Sequence, residues 1–201
     1  MFTGIVQRVG TVHSVDMTGD DLVLVVRADD FDAPRRAGDS IAVNGVCLTV
    51  LDGGDDLRFD VSVETLSRTL IRGYRPGLRV NLEPALTLAT PLGGHLVSGH
   101  VDGVATISDR SPSERSTVFT FNAPREFARF IAVKGSVALD GVSLTVNSVR
   151  DTANDVGFEV NIVPHTLAHT NLGTLGAGDS VHLEVDLVAR YLYRIHEQND
   201  S

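Results

Sequence analysis

An eleven-residue stretch that occurs twice restricts the fold of this chain more than any other feature of its sequence. Residues 40–50 read SIAVNGVCLTV and residues 136–146 read SVALDGVSLTV, and seven of the eleven positions are identical. Similarity at a fixed spacing is the signature of a duplicated structural unit and outweighs local propensity as evidence about architecture. The two halves of the chain are therefore expected to share one fold.

Three further pairs of blocks recur in the same order and define the extent of the duplication. They are FTGIVQRVGTV with VSGHVDGVATI, FDVSVETL with FEVNIVPHTL, and GLRVNLE with GDSVHLE. The sequence therefore predicts tandem domains over 1–94 and 95–186, joined by the short link ATPLGG. No block of either repeat recurs in residues 187–201, which are predicted to form a separate helix.

Each copy of the repeated stretch is predicted to form a β-hairpin. Asn44-Gly45 and Asp140-Gly141 accept positive φ at both central positions of a type I′ turn, and apolar runs flank them. The arm after each turn alternates, so one face of the strand carries a small polar pair. A polar pair on an apolar strand suits hydrogen bonding to a planar ligand; the competing interpretation is a solvated face. The pairs are Cys47 with Thr49 and Ser143 with Thr145.

Each half contains about six short runs rich in Val, Ile, Leu and Thr, with few helical stretches between them. Such runs indicate antiparallel sheets, and closure into a small barrel is the best way to remove their unpaired edge strands. The predicted fold class is all-β: two tandem, similar six-stranded antiparallel barrels of Greek-key type plus a C-terminal α-helix. Short helices are predicted over 65–71, 125–130 and 166–172. In the first half, strands are predicted near residues 4–13, 21–28, 39–44, 46–52, 57–63 and 78–83.

The tail has the periodicity of an amphipathic helix over 186–198. An isolated helix of about 13 residues is marginal in water, so its apolar stripe must pack on something. It packs either on its own barrels or on the same helix of neighbouring chains. The second interpretation is favoured, because two complete barrels leave little core to fill. The stripe consists of Leu187, Val188, Tyr191, Leu192 and Ile195.

Composition excludes several classes of protein. The chain has 201 residues, of which 42% are hydrophobic, and no apolar run long enough to span a membrane. A net charge of −9 repels phosphate backbones, so nucleic acid is an improbable partner. One cysteine and no secretion signal favour a cytoplasmic location. No P-loop, dinucleotide-binding or CxxC motif occurs, and the pairs His165/His169 and His95/His100 do not form a metal-binding pattern.

Six motifs in order along the whole chain resemble riboflavin synthases of the α-chain type. They are MFTGIV, GDSIAVNGVCLTV, GGHLVSGHVDG, KGSVALDGVSLTV, PHTL and EVDLVARY. The resemblance implies a homotrimer of two-barrel chains whose C-terminal helices bundle. It also implies an enzyme that converts two molecules of 6,7-dimethyl-8-ribityllumazine into riboflavin and 5-amino-6-ribitylaminouracil, moving a four-carbon unit without a cofactor or metal. Two lumazines would meet where the first barrel of one chain faces the second barrel of the next.

The resemblance also implies site residues by their place in these motifs. Cys47 and Ser40 would act at the first barrel, and His100 would carry a proton from the second. The competing interpretations are a buried small hydrophobe for Cys47, a structural histidine for His100 and a solvated charge for Lys134. The first pocket would comprise Gly4, Ile5, Val6, Ser40, Cys47, Leu48, Thr49, Ser62, Glu64 and Thr65. The second would comprise Gly99, His100, Val101, Lys134, Ser143, Leu144, Thr145, Asn161, Ile162, Val163, Pro164, His165 and Thr166. Asp186 is a further candidate that could equally cap the last helix.

Two identical substrates must play different roles, so the positions at which the repeats differ are the informative ones. FDVSVETL is two residues shorter than FEVNIVPHTL, which predicts altered ligand contacts in the first pocket. Two rival functions remain: a non-catalytic lumazine- or flavin-binding antenna protein, and a flavin-dependent reductase, which would need a nicotinamide-binding half that the chain does not have. Docking to a lumazine synthase capsid is left open. The differing pairs are Cys47/Ser143, Ile5/His100, Gly38/Lys134 and Glu64/His165.

Overall fold

The computed structural model describes residues 1–33 and 35–199, and its first half forms a six-stranded antiparallel sheet. Strand β5 illustrates why: Leu57, Phe59 and Val61 are buried and alternate with exposed residues, as in a strand with one face on a core. The strands are β1 (Arg8–Thr18), β2 (Asp21–Arg27), β3 (Ser40–Val43), β4 (Val46–Thr49), β5 (Leu57–Val61) and β6 (Arg79–Pro84).

The second half repeats this sheet with the same strand order. The first half runs β4-β3-β6-β1-β2-β5, and the second is a closed barrel in the order β10-β9-β12-β7-β8-β11. Each sheet surrounds its own apolar core. The prediction of two similar six-stranded antiparallel units is therefore confirmed. The second set of strands is β7 (Gly103–Ser113), β8 (Ser116–Pro124), β9 (Ser136–Leu139), β10 (Val142–Asp151), β11 (Asp155–Ile162) and β12 (Ser180–Val185).

The seams that close the two sheets correct the alignment of the FDVSVETL segment. The repeat partners Val50 and Val146 pair with Phe59 and Val160, so Phe59 does not match Phe158 as the sequence comparison assumed. From this pairing to the following helix, the two repeats have the same number of residues, and the predicted shortening is wrong. The length difference lies in the preceding hairpin, where β10 and β11 are longer than β4 and β5.

Both predicted type I′ hairpins are confirmed, and their turns touch each other between the barrels. φ is +45° at Asn44 and +79° at Gly45, and +45° at Asp140 and +77° at Gly141. A Cβ on either glycine would lie 2.7 Å from the backbone nitrogen of the other. Positive φ and close approach therefore both require glycine at these two positions.

A buried polar network beside these turns joins the barrels. The Asn81 side chain on β6 accepts the Asn171 N–H at 2.7 Å. On β12 the repeat partner of Asn81 is His182, whose Nε2 accepts the Leu70 N–H at 2.8 Å. Its Nδ1 therefore carries the proton and donates to the Asn44 carbonyl at 2.8 Å. Each barrel thus holds a loop of the other through one satisfied side chain, which rigidifies the contact.

The segments that precede β1 and β7 cross from one barrel to the other. Phe2 and Val97 form an antiparallel bridge, and both side chains are buried. Beyond this bridge, Val6 packs against the core of the second barrel and Val101 against the core of the first. Each barrel therefore contributes part of its own N-terminal segment to its neighbour.

Several element boundaries differ from the predicted ones at turns. Strand β1 begins at Arg8, so the expected strand over 4–13 is wrong at both ends; a φ of +74° at Gly4 interrupts the extended backbone. Helices α1 (Val63–Arg68) and α2 (Pro164–His169) begin two residues before the predicted starts, and each is followed by a short 3-10 turn. The 3-10 helix Arg125–Phe130 has the predicted bounds.

The C-terminal helix α3 (Leu187–Asn199) agrees with the predicted range to within one residue. Residues 200 and 201 of the predicted helical tail lie outside the described residues. The apolar stripe predicted from periodicity is exposed: Val188, Tyr191, Leu192 and Ile195 retain 59–63% of their surface. In the described part of the chain, none of the helices is long and apolar enough to cross a membrane.

Candidate active site

The crossing segments bring a loop of each repeat to the polar hairpin residue of the other barrel. The Cys47 N–H donates to the Gly99 carbonyl at 2.8 Å, and the Ser143 N–H donates to the Gly4 carbonyl at 2.8 Å. A Cβ on Gly99 would lie 2.6 Å from Cys47 Cβ, and one on Gly4 would lie 2.5 Å from Ser143 Cβ. Glycine at both positions, each with positive φ, therefore permits the approach.

This crossing corrects the grouping of the predicted pocket residues. The expectation combined residues 4–6 with Cys47 and residues 99–101 with Ser143. The structure places residues 4–6 beside Ser143 and residues 99–101 beside Cys47. A comparison of repeats assigns each segment to its own copy, and it cannot detect an exchange between two domains of the same fold.

The hairpin of the first barrel presents the predicted polar face. Ser40 pairs with Thr49 and Ala42 with Cys47, so the four side chains share one side of the ribbon. Cys47 is partly buried and Thr49 exposed, while Leu48 on the opposite face is in the core. The second hairpin repeats this register with Ser136 opposite Thr145 and Ala138 opposite Ser143.

Two buried glutamates fix the crossing segments with matching hydrogen bonds. Glu83 accepts the N–H and the hydroxyl of Thr3 at 2.6 and 2.7 Å and the next N–H at 3.0 Å. Glu184 accepts the N–H and the hydroxyl of Ser98 at 2.6 and 2.7 Å and the next N–H at 3.0 Å. Burial raises the pKa of both carboxyls, and these donors oppose the rise.

At the first barrel, a cavity of about 620 Å³ opens between α1 and the base of α3. Its walls include His100 and two ion pairs. Glu64 and Arg68 on α1 lie 3.2 Å apart, and Arg190 on α3 binds both carboxylate oxygens of Asp102 at 2.6 and 2.7 Å. His100 is exposed toward this space, where a proton carrier would be accessible to a ligand.

At the second barrel, the hydroxyl of Ser143 is engaged by a histidine. His95 Nδ1 lies 2.7 Å from Ser143 Oγ. The imidazole is 9% exposed, and its Nε2 is buried without a hydrogen-bond partner among the described residues. Burial lowers the pKa of His95, while the nearby Asp186 carboxylate opposes that change. A neutral imidazole beside a hydroxyl can accept its proton.

Helices α1 and α2 begin alike and carry different chemistry. Ser62 caps α1 by accepting the Thr65 N–H at 3.4 Å, and Pro164 occupies the first turn of α2. Where α1 has the pair Glu64 and Arg68, α2 has His165 and His169, whose rings stack with centroids 4.1 Å apart. The first helix therefore carries a salt bridge, and the second carries two stacked imidazole rings.

Lys134 occupies a backbone position that its repeat partner fills with glycine. φ is +67° at Lys134 and +93° at Gly38, and both N–H groups donate to the hairpin strand, to Val146 and Val50 respectively. The Lys134 side chain is exposed and reaches Asn147 Oδ1 at 3.5 Å. A left-handed backbone conformation costs a lysine free energy, so it persists where a contact or function of the side chain outweighs that cost.

The remaining candidates lie around two surfaces that we call the mouths: the first beside Cys47 and residues 99–101, and the second beside Ser143 and residues 4–6. Asp186 is a helix cap, because its carboxylate accepts the Val188 N–H at 2.9 Å. Among the residues that the structure describes, no cluster of three or more His, Cys, Asp or Glu side chains could hold a metal ion. Exposed or partly buried are Ile5, Val6, Val101, Leu144, Thr145, Asn161, Val163 and Thr166, whereas Ile162 is buried in the second core.

Sequence reasoning missed His95, Glu83 and Glu184. His95 entered only as half of a rejected metal pair, although Gly94 precedes it and allows the chain to approach Ser143, whose Cβ would lie 2.7 Å from a Cβ at residue 94. Both glutamates end a recurring block, NLE or HLE, and that recurrence was a usable signal. Their hydrogen-bond partners lie about 80 residues away in sequence, so only the fold identifies them.

Comparison with known proteins gives two kinds of match along the sequence. A family model of the lumazine binding domain matches residues 3–85 and 98–186. Riboflavin synthase from Mycobacterium tuberculosis strain H37Rv is 46% identical over 197 residues, covering 97% of this chain and 98% of that protein. The Photobacterium phosphoreum enzyme of the same name is 43% identical over 197 residues, covering 97% and 88%. The Bacillus amyloliquefaciens enzyme of that name is 38% identical over 202 residues, covering 100% and 92%.

Solved structures of similar fold contain lumazine or flavin ligands. LumP complexed with 6,7-dimethyl-8-(1'-D-ribityl) lumazine has a TM-score of 0.78 at 26% identity, covering 92% of this chain and 99% of that one. LumP complexed with riboflavin has a TM-score of 0.76 at the same identity and coverage.

Proposed function

We infer that this chain, which belongs to the lumazine binding domain family, is an enzyme with riboflavin synthase activity. The proposed reaction takes two molecules of 6,7-dimethyl-8-ribityllumazine to riboflavin and 5-amino-6-ribitylaminouracil by transfer of a four-carbon unit. The two products together contain the atoms of the two substrates, so the transfer needs no external oxidant. One observation carries the mechanism: two mouths with the same backbone geometry present different polar groups.

A dismutation needs one lumazine to give carbon atoms and the other to receive them. The two mouths meet this need because Cys47 N–H and Ser143 N–H are held identically at 2.8 Å, whereas only Ser143 Oγ is bonded to His95. Holding two substrate rings in reacting geometry can supply about 7–11 kcal/mol of the barrier. We place the remaining acceleration, about 10²–10⁴-fold, in proton transfer and nucleophilic assistance.

The proposed roles follow the groups that each mouth offers. At the first mouth, Cys47 and Ser40 are the candidate nucleophile and hydrogen-bonding hydroxyl, and His100 is the candidate proton carrier. At the second mouth, the pair of His95 and Ser143 is the candidate base for removing a proton from the substrate methyl group. A buried neutral histidine with a lowered pKa remains unprotonated and ready to accept at neutral pH.

We propose that three chains assemble through α3 and that each active site combines the first mouth of one chain with the second mouth of the next. The exposed apolar stripe of α3 supports this, because its residues recur at helical spacing and face away from the barrels. Sedimentation should give three times the 21.5 kDa chain mass, and Leu192→Asp should give monomers.

Sedimentation of the protein with added lumazine synthase tests whether it docks to a lumazine synthase capsid. We place the enzyme in the cytoplasm.

The decisive experiment follows flavin absorbance and fluorescence after adding 6,7-dimethyl-8-ribityllumazine to the protein. Half a mole of riboflavin per mole of lumazine consumed is expected, because two substrates give one riboflavin. Cys47→Ser should slow the reaction, while the exposed-site variant Glu126→Gln should not. Tight binding with a shifted lumazine spectrum and no riboflavin would instead indicate a chromophore carrier and refute the enzymatic assignment.

A further inference from the structure

Each crossing segment lines the pocket of one barrel and is held by a carboxylate of the other barrel. Glu184 lies on β12 of the second barrel, and it holds Ser98 and Gly99, which cover Cys47 of the first barrel. Glu83 lies on β6 of the first barrel and holds the segment that covers Ser143 of the second. The hydrogen-bond distances on the two sides agree at 2.6, 2.7 and 3.0 Å.

We propose that Glu83 and Glu184 are crossed positioning residues, each of which shapes the pocket of the other barrel. Neither carboxylate needs to touch substrate. Each acts through the backbone turn to which it is hydrogen-bonded. Glu184 fixes the position of Gly99 and of the neighbouring His100 and Val101, and Glu83 fixes the position of the segment beside Ser143. The proposal rests on the proposed function for the identity of the ligand.

Three donors converge on each carboxylate, so these residues cannot be exchanged for a neutral isostere without loss. A glutamine would turn one acceptor oxygen into an NH₂ group that faces a backbone N–H. The turn would lose at least one charge-assisted hydrogen bond, and a donor would point at a donor. A change confined to Glu184 should therefore loosen the cover over Cys47, and the same change at Glu83 should leave that cover intact.

The single cysteine makes this crossing measurable without turnover. Cys47 is the only thiol in the chain and lies directly under the Gly99 turn, so its alkylation rate reports on the first pocket alone. E184Q should accelerate alkylation by iodoacetamide roughly tenfold, the effect of losing a hydrogen bond to a charged group. E83Q and the exposed control E126Q should leave the rate unchanged. Saturating 6,7-dimethyl-8-ribityllumazine should slow alkylation in the wild type more than in E184Q.

Milder variants keep the test valid if either glutamine variant fails to fold. Ser98→Ala and Thr3→Ala each remove one of the three donors on one side only. Faster alkylation in Ser98→Ala, with an unchanged rate in Thr3→Ala, supports the crossed assignment. Equal acceleration on both sides, or acceleration in the Glu83 set alone, overturns it, and no change in any variant overturns the positioning role. Absence of riboflavin formation in the wild type would refute the proposed function and leave this alkylation result standing.

Discussion

Cys47 and Ser143 occupy the same backbone position in two barrels and have different surroundings. Both N–H groups donate to a crossing glycine at 2.8 Å. Cys47 packs with a small apolar cluster that includes Phe2, whereas the hydroxyl of Ser143 is hydrogen-bonded to the buried His95. The duplication has thus kept the backbone hydrogen bonds that hold the mouths and has changed the side chains that can move protons.

The difference arises at the link between the barrels. His95 lies just after this link, and its Nδ1 is 2.7 Å from Ser143 Oγ. The link therefore brings a histidine to the second mouth, whereas Cys47 at the first mouth packs in an apolar cluster. A reaction that gives two identical substrates different roles benefits from such asymmetry, and the following predictions test how much of the function depends on it.

Removing the histidine of the second mouth should have the largest effect. His95→Ala and His95→Asn should both lower the rate of riboflavin formation about 10³-fold, since a positioned base contributes 10²–10⁴-fold. The asparagine places an amide near the position of Nδ1 and can still bond Ser143, but it cannot accept a proton. Single-turnover rates measure the effect, with His13→Asn at an exposed position as the control. Wild-type rates in His95→Asn would show that the pair is only structural.

His100 of the first mouth should have a smaller effect because it is exposed and water can partly replace it. His100→Ala should lower turnover about 10²-fold, the lower end of what a positioned proton carrier contributes. His13→Ala provides the control, because it removes an exposed imidazole that is not among the pocket candidates. An unchanged turnover rate in His100→Ala would contradict its role as proton carrier.

The architecture could be predicted from sequence because the repeat and the Asn44-Gly45 and Asp140-Gly141 turns are local patterns with a physical meaning. The periodicity of α3 likewise predicted both its bounds and its exposed stripe. The assignment of residues to pockets failed because Gly4 and Gly99 exchange barrels, and similar repeats give no signal of an exchange. The polar contacts could not be predicted for a related reason: partners 80 or more residues apart, such as Thr3 and Glu83, meet only in the folded chain.

Stability should also depend on pH through the second mouth. Burial lowers the pKa of His95, so the unfolded chain binds its proton more tightly than the folded protein does. Stability from this group is therefore complete above the unfolded value of about 6.5 and falls as the pH decreases below it. Urea unfolding at pH 7.5 and pH 5.5 should show that His95→Gln loses less stability on acidification than the wild type. The raised pKa values of Glu83 and Glu184 act in the opposite direction and are common to both proteins.

The smallest expected effect concerns Lys134, where the first repeat has Gly38. A non-glycine residue at positive φ costs about 1–2 kcal/mol, and glycine recovers part of this while adding flexibility to the unfolded chain. Lys134→Gly should therefore raise the free energy of unfolding by up to about 1 kcal/mol. Lys134→Ala, which keeps a Cβ at the same φ of +67°, should not. If the Lys134 amine contacts substrate, both variants should raise KM equally. That result would show that the lysine is kept for its side chain in spite of the backbone strain. A glycine variant less stable than the wild type would show that the backbone there is not strained.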